Sequence, residues 1–105
     1  MTATKHDTEK LPMDLIPPGF SEDLAKVLQF GAKRYGRWNW AEGMKWSRLE
    51  AALMRHWEAW RRGENRDPES GLPHLMHIAC ICAFLNDYAK RGVGEDDRRE
   101  FAEGA

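Results

Sequence analysis

The run PHLMHIACICAFLNDYAKR (residues 73–91) decides the fold, because it is apolar on nearly every face of the helix that it predicts. Pro73 is a favourable first helical residue and Gly92 a natural stop, so we expect this third helix to run from about 73 to 91. A helix this apolar must be central and covered on all sides. Cys80 and Cys82 fall on different sides of it, which predicts two buried free thiols in a reducing compartment and no disulfide.

Two amphipathic helices precede this central one. Ser21 is a good N-cap for a first helix over 21–35, and Ser47 with Glu50 forms a capping box that starts a second helix near 47. Three helices, one of them buried all round, are too few to cover themselves. We therefore expect an all-α fold that a second copy of the chain completes as a helical bundle.

Length and charge limit the possible functions. The 105 residues form a single domain, 1–105, whose segments 1–11 and 93–105 are expected to be flexible. The net charge of −1 argues against a stable complex with nucleic acid, which usually needs a basic excess. The N-terminus is too polar for a signal peptide, and the longest apolar run, 78–85, is too short to span a membrane. These features predict a cytoplasmic protein with no membrane partner.

Histidines and acids concentrate between the second and third helices. His56 lies on the inner face of the second helix, and His74 and His77, three residues apart, share a face of the third. If the two helices pack antiparallel, these imidazoles converge near the acids of the connecting loop and can bind a divalent ion or a polyphosphate. Oxygen ligands suit Mg²⁺ or Mn²⁺. The alternative is that the histidines only cap the helix or fill the core. The candidate carboxylates are Glu64 and Asp67, then Glu69 and Glu50 as a second rank.

A second grouping combines basic, aromatic and amide side chains. Cations of this kind can meet phosphates, the rings can stack on a base, and the amide can read the edge of the base. The same mixture suits single-stranded nucleic acid, and the alternative is a loop held by tryptophans that pack on the second helix. The grouping comprises Lys33, Arg34, Tyr35, Trp38, Asn39 and Trp40, with Arg55 of the second helix.

Several short motifs follow one another in an order that resembles a known family. They are Lys5-x-Asp7-x-x-Lys10-x-Pro12, Asp14-Leu-Ile-Pro17, Val27-Leu-x-Phe30-Gly-Ala-Lys33-x-Tyr35-Gly36, Asn39-Trp40, Trp46-Ser-Arg, Ala52-Leu-x-Arg55-His56, Gly63-Glu64-x-x-Asp67-x-Glu69-Ser-Gly71 and His74-x-x-His77. Over about residues 5–88 the chain resembles a phage-encoded family of dATP/dGTP diphosphohydrolases, the MazZ-like branch of the all-α MazG nucleotide pyrophosphohydrolases.

This resemblance implies an all-α, MazG-like dimer or dimer of dimers that hydrolyses a purine deoxynucleoside triphosphate, dGTP or dATP, to the monophosphate and pyrophosphate with Mg²⁺ or Mn²⁺. The wider superfamily uses EExxE and ExxD carboxylate clusters, in whose place this chain presents Arg55-His56 and His74-x-x-His77. The resemblance then implies His56, Glu64, His74 and His77 as catalytic residues, and Glu64, Asp67, His74 and His77 as metal ligands. The implied substrate contacts are Lys10 from an N-terminal arm, Lys33, Tyr35, Asn39, Trp40 and Arg55.

Two other functions are compatible with the residues. One is a metal phosphohydrolase built on a His-Asp cluster that releases phosphate or triphosphate, although the one adjacent His-Asp pair, His6-Asp7, stands far from the other three histidines in the sequence. The other is a small helical phage protein that binds a protein or nucleic acid partner through the tryptophan-rich loop. Convergence of the three histidines favours an enzyme, whereas scattered histidines favour the binding protein.

Overall fold

The computed structural model describes residues 9–98, and this part of the chain is all-helical, which confirms the predicted fold class. It contains no β-strand beyond two isolated bridges. None of its helices combines the length and apolarity needed to cross a membrane. The helices are α1 (Phe20–Tyr35), α2 (Trp46–Arg61) and α3 (His74–Arg91), with short 3-10 turns at Met13–Leu15 and Asn39–Glu42.

The central helix α3 packs against both α1 and α2, and a cleft opens between those two helices. Its core contacts are built on Leu49, Ile81 and Tyr88, all buried. Two helices cannot surround a third, so part of α3 stays uncovered in the single chain, and its cover by a second copy stays a prediction. Leu75 stays 45% exposed, and Cys82 is an exposed free thiol, whereas Cys80 is buried as predicted.

The predicted serine caps are wrong, although each helix begins within one residue of its expected start. α1 begins at Phe20 after Gly19, which has a left-handed φ of 87°, and Ser21 lies inside the helix. α2 begins at Trp46, and Ser47 is itself bound by an acid from the far end of the domain. The Ser47 N–H donates to Asp97 Oδ1 at 3.0 Å, and the Ser47 hydroxyl donates to the other carboxylate oxygen. Asp97 therefore caps α2 in place of a local residue.

The segment 93–98 is held against the start of α2, so its predicted flexibility is wrong. The Trp46 indole N–H donates to the Val93 carbonyl at 3.3 Å, and the Trp46 backbone N–H donates to the Glu95 carbonyl at 2.9 Å. The Arg98 guanidinium lies 4.7 Å from the centroid of the Trp46 ring. We call this arrangement of residues 93–98 on residues 43–47 the C-terminal clasp. Of the other residues expected to be flexible, 9–11 are exposed, and 1–8 and 99–105 lie outside the described part.

The loop between α1 and α2 is anchored on α3 by Tyr88. This side chain is fully buried, and its hydroxyl donates to the Trp40 carbonyl at 2.5 Å. The Trp40 ring stacks on Phe84 at a centroid distance of 4.4 Å, and the Arg91 guanidinium donates to the Ala41 carbonyl at 2.9 Å. These contacts fix the tryptophan-rich loop at the border of the cleft.

Candidate active site

The cleft between α1 and α2 has a volume of about 1450 Å³. This exceeds the roughly 300–1,000 Å³ typical of small-molecule pockets, so there is room for a nucleotide and its hydration. α3 forms the floor, because residues at helical spacing along one of its faces line the cleft. The floor residues are His74, His77, Cys80, Ile81 and Phe84.

A chain of hydrogen bonds links α2, α3 and the loop between them. His56 Nδ1 lies 2.8 Å from His74 Nδ1, and His74 Nε2 lies 2.6 Å from Glu64 Oε1. His56 comes from the next-to-last turn of α2 and His74 from the first residue of α3. Glu64 is positioned by its backbone N–H, which donates to the Ala59 carbonyl at 3.1 Å just past the end of α2. The sequence predicts that the histidines of α2 and α3 converge, and in the structure His56 and His74 are in direct contact.

The hydrogen-bond partners determine the tautomers in this chain. A carboxylate only accepts, so the Nε2 of His74 must carry the proton that faces Glu64. In neutral His74 the Nδ1 is then an acceptor, and His56 Nδ1 must be the donor. The Nε2 of neutral His56 is left with a lone pair. An imidazole that lines the cleft and is oriented in this way can accept a proton from a bound molecule.

His77 packs on a face of the His56 ring. The two imidazoles stack in parallel, with a centroid distance of 4.5 Å and an interplanar angle of 2°. His77 Nε2 lies 2.7 Å from Ser70 Oγ and 3.7 Å from Asp67 Oδ2. The Asp67 side chain is 17% exposed, and its backbone N–H donates to the Leu72 carbonyl at 2.8 Å, so the loop is a defined structure.

The environment favours the neutral form of two of these histidines. Burial lowers the pKa of His56 below its ordinary value, and the nearby His77 and His74 lower it further against the opposing effect of Asp67. Burial also lowers the pKa of His77, with Asp67 opposing and His74 adding to the shift. Neutral imidazoles at pH 7 are acceptors, which is the state that a general base requires. Cys80 is no rival nucleophile, because burial raises the pKa of its thiol to about 11.

The carboxylates suit a hard cation, although no metal cage is preformed. Among residues 9–98, no group of three or more His, Cys, Asp or Glu side chains surrounds a common point. Both ring nitrogens of His74 already have protein partners. Mg²⁺, however, usually binds through one or two carboxylates together with substrate phosphates and water. Glu64 and Asp67 line the cleft beside the histidines and fit this kind of site; they do not fit a closed, histidine-rich centre.

Most of the expected substrate contacts also lie around the cleft. Glu69, which was a second-rank candidate carboxylate and not an expected substrate contact, reaches α1. Its carboxylate pairs there with the Arg34 guanidinium, so it serves as a link across the cleft mouth. Trp40 lines the cleft but is partly buried through its stacking on Phe84. The other expected residues that line the cleft are Lys33, Tyr35, Asn39 and Arg55.

Two expected residues are not brought to the cleft. Lys10 is exposed in the segment that precedes the first 3-10 turn, and Glu50 is exposed six residues before His56, about 9 Å along α2. One contact was missed by the sequence reasoning, namely the Ser70 hydroxyl on His77. Its only sequence signal was its place in a turn with Gly71. A smaller cavity of about 480 Å³, near Met13 and Phe20, holds no histidine and no basic residue.

Comparisons with known proteins give a matching family and a similar phage protein. The model of the family described as dATP/dGTP diphosphohydrolase, N-terminal, matches residues 1–98. A protein of Salmonella phage PMBT28 named dATP/dGTP diphosphohydrolase is 39% identical over 99 residues, which cover 94% of this chain and 34% of that protein. The chain thus spans about a third of the length of this relative. No solved structure matches the chain significantly, so the expected MazG-like architecture stays a prediction.

Proposed function

The chain belongs to the family described as dATP/dGTP diphosphohydrolase, N-terminal, and from this premise we propose that its cleft hydrolyses purine deoxynucleoside triphosphates. The products would be the monophosphate and pyrophosphate, and the reaction would serve phage nucleotide metabolism in the host cytoplasm. One observation carries the proposal: the hydrogen-bonded chain Glu64–His74–His56 ends in a neutral imidazole that lines a nucleotide-sized cleft. A protein that only binds a partner has no need of such a chain.

His56 acts as the general base in this proposal. Its Nε2 takes a proton from a water molecule as the water oxygen bonds to the α-phosphorus. The bond between the α-phosphorus and the oxygen bridging to the β-phosphorus then breaks, and pyrophosphate leaves with the bonding electron pair. The positive charge that forms on His56 is stabilised through His74 by the Glu64 carboxylate. His77 keeps the ring in place by stacking.

Cations along the cleft counter the charge of the phosphates. Lys33 on α1 and Arg55 on α2 line opposite walls, so a triphosphate between the helices can contact both. Lys10 would join them only if the N-terminal segment moved over the cleft, or if it came from a second copy of the chain. Tyr35 and Asn39 would contact the nucleoside. These roles add positioning and charge compensation to the proton transfer at His56.

Glu64 and Asp67 would hold a Mg²⁺ or Mn²⁺ ion together with the substrate phosphates, with His74 and His77 as neighbours that orient the two carboxylates. Such an ion, when bound, supplies charge neutralisation at the phosphates and polarises the phosphoryl oxygens. We expect activity to be lost in EDTA and restored by excess Mg²⁺ or Mn²⁺. Full activity in EDTA would show that the carboxylates serve only to orient the histidines.

We also propose that the domain works as a homodimer or homotetramer. Large apolar side chains stay uncovered on α2 and α3, with Met54 at 47%, Trp57 at 39% and Leu75 at 45% exposure. Burial of such side chains is the usual gain from association of helical subunits. Light scattering on the purified chain tests this, and a monomer at all concentrations would contradict it.

Product analysis tests the reaction. The purified protein is incubated with each of the eight common ribo- and deoxyribonucleoside triphosphates and Mg²⁺ or Mn²⁺, and the products are separated by chromatography. We expect monophosphate and pyrophosphate, with a preference for dATP or dGTP. Release of phosphate or triphosphate would indicate the other hydrolase class. No turnover with either metal would leave the partner-binding function as the better account.

Variants test the role of His56. We expect His56→Ala to lower kcat by about 10²–10⁴-fold, the usual contribution of a general base, and Glu64→Gln to lower kcat less. Trp57→Phe, next to His56 but outside the cleft, is the matched control and should keep wild-type kcat. Equal kcat for wild type and His56→Ala would overturn the assignment of the base.

A further inference from the structure

Trp38 has an unusual backbone conformation beside the cleft. Its φ of 64° and ψ of 7° are left-handed, and it is the only residue other than glycine with a positive φ in the described range. Bulky side chains rarely adopt this conformation because Cβ crowds the carbonyl oxygen. The Trp38 side chain gains little packing in exchange, since the residue is 66% exposed. Strained backbone that packing does not explain is most often found at functional sites.

This conformation leaves the Trp38 ring open to the cleft. The residue starts the 3-10 turn Asn39–Glu42, and its carbonyl accepts a hydrogen bond from Ala41 N–H at 2.9 Å. The Trp38 ring lies 6.0 Å from the Trp40 ring, tilted by 43°. Trp40 has one face stacked on Phe84. Trp40 is therefore the anchor of the loop, and Trp38 carries the ring that is free to receive a ligand.

The position of Trp38 suits the base of a nucleotide whose phosphates meet the histidines. Phe84, under Trp40, lies two turns along α3 from His77, or about 10 Å. Tyr35 is a second exposed ring that lines the cleft, at 65% exposure, with the Arg34 guanidinium 5.8 Å from its centroid. Aromatic rings at one part of the cleft and histidines at another match the division of a nucleotide into base and phosphates.

We propose that Trp38 is the stacking platform for the purine base of the nucleotide that binds in this cleft, held in its open position by the left-handed backbone. The inference rests on the proposed function, because it concerns the substrate of the same site. Of the rings that the sequence offers for stacking, it selects Trp38 and not Trp40. It further implies that purines bind more tightly than pyrimidines, because the larger ring system overlaps the indole more fully.

Equilibrium binding of α,β-methylene-dATP, which cannot be hydrolysed at the α-phosphorus, tests the inference by calorimetry in Mg²⁺. We expect Trp38→Ala to raise Kd about 5- to 150-fold, in the range known for loss of one base-aromatic stack, and Trp38→Phe to stay within about threefold of wild type. Leu15→Ala is the control, since Leu15 is 75% exposed and does not line the cleft. In turnover, Trp38→Ala should raise KM and leave kcat nearly unchanged.

Trp38→Gly separates binding from structure. Glycine adopts the left-handed conformation without strain, so this variant should be as stable as the wild type or more stable, and yet bind as weakly as Trp38→Ala. Wild-type affinity in Trp38→Gly or Trp38→Ala would overturn the inference and leave the proposed function intact. Weak binding by Trp38→Phe would overturn ring stacking as the cause. A wild type that binds no nucleotide would instead overturn the proposed function.

Discussion

Removal of the Tyr88 hydroxyl measures how firmly the tryptophan-rich loop is anchored on α3. In Tyr88→Phe the buried ring keeps its packing, but the 2.5 Å hydrogen bond to the Trp40 carbonyl is lost. That carbonyl still accepts the Gly43 N–H at 3.2 Å, so it is not left without a partner. The loss should therefore be that of one ordinary hydrogen bond, about 1 kcal/mol of unfolding free energy. For a domain of this size this corresponds to a decrease in Tm of about 4–8 °C.

Urea unfolding followed by tryptophan fluorescence gives the free energy of unfolding, and an unchanged m-value would show that the compactness of the two states is retained. Tyr35→Phe is the matched control, because Tyr35 is 65% exposed; its unfolding free energy should change by less than about 0.5 kcal/mol. Equal stability of Tyr88→Phe and wild type would refute the anchoring role. So would an equal decrease in both variants.

The pH dependence of the unfolding free energy provides a second test of the role of the Tyr88 hydroxyl. Burial raises the pKa of Tyr88, so the folded state favours the protonated phenol. This contribution is complete below the unfolded pKa of about 10 and is lost as the pH rises through the folded pKa. The difference in stability between wild type and Tyr88→Phe should therefore shrink above about pH 10. A difference that stays constant up to pH 11 would contradict the assigned pKa shift.

Two further predictions concern stability. Gly43 and Gly36 share a φ of 95°, but a Cβ on Gly43 would lie 2.6 Å from Gly94 N, whereas nothing lies within 4 Å of one on Gly36. Both alanine variants should lose about 1–3 kcal/mol of unfolding free energy through backbone strain, and Gly43→Ala should lose more than Gly36→Ala. Thermal unfolding measures both losses, and equal losses would contradict the close approach of Gly43 and Gly94. Because the pKa values of His56 and His77 are lowered, their contribution to stability is present above pH 6.5 and lost as the pH falls below it. Urea midpoints measured at pH 7.5, 6.5 and 5.5 should decrease as the pH falls, and they should decrease less for His56→Gln than for wild type. An equal decrease in both proteins would contradict the histidine origin of this pH dependence.

Helix positions could be predicted from the sequence because their signals are local. Apolar periodicity together with Pro73, Gly36 and Gly92 predicts each helix to within one residue or so of its observed bounds. The N-cap of α2 could not be predicted, because its donor and acceptor are 50 residues apart in sequence. Ser47 with Glu50 satisfies the local capping pattern, yet the tertiary fold brings in Asp97 as a charged acceptor.

The candidate site, too, could be predicted from the sequence only in part. The convergence of His56, His74 and His77 follows from helix faces and antiparallel packing, both of which the sequence indicates. The order of the hydrogen bonds does not, because it depends on side-chain positions that differ by about an ångström. Nothing in the pattern separates Trp38 from Trp40 either. Trp40 is partly buried against the core and Trp38 is exposed, and no local motif requires the left-handed conformation of Trp38.

The C-terminal clasp also has a consequence for the order in which the chain folds during translation. Trp46 and Ser47, the first residues of α2, leave the ribosome about 50 residues before the segment that contacts them. α2 therefore emerges with uncapped N–H groups and with one face of its first indole uncovered. The nascent domain can reach its final stability only after Asp97 has been released from the exit tunnel. A stalled chain whose Asp97 is still inside the exit tunnel should remain sensitive to protease around Trp46, and a longer stalled chain that has released Asp97 should be protected.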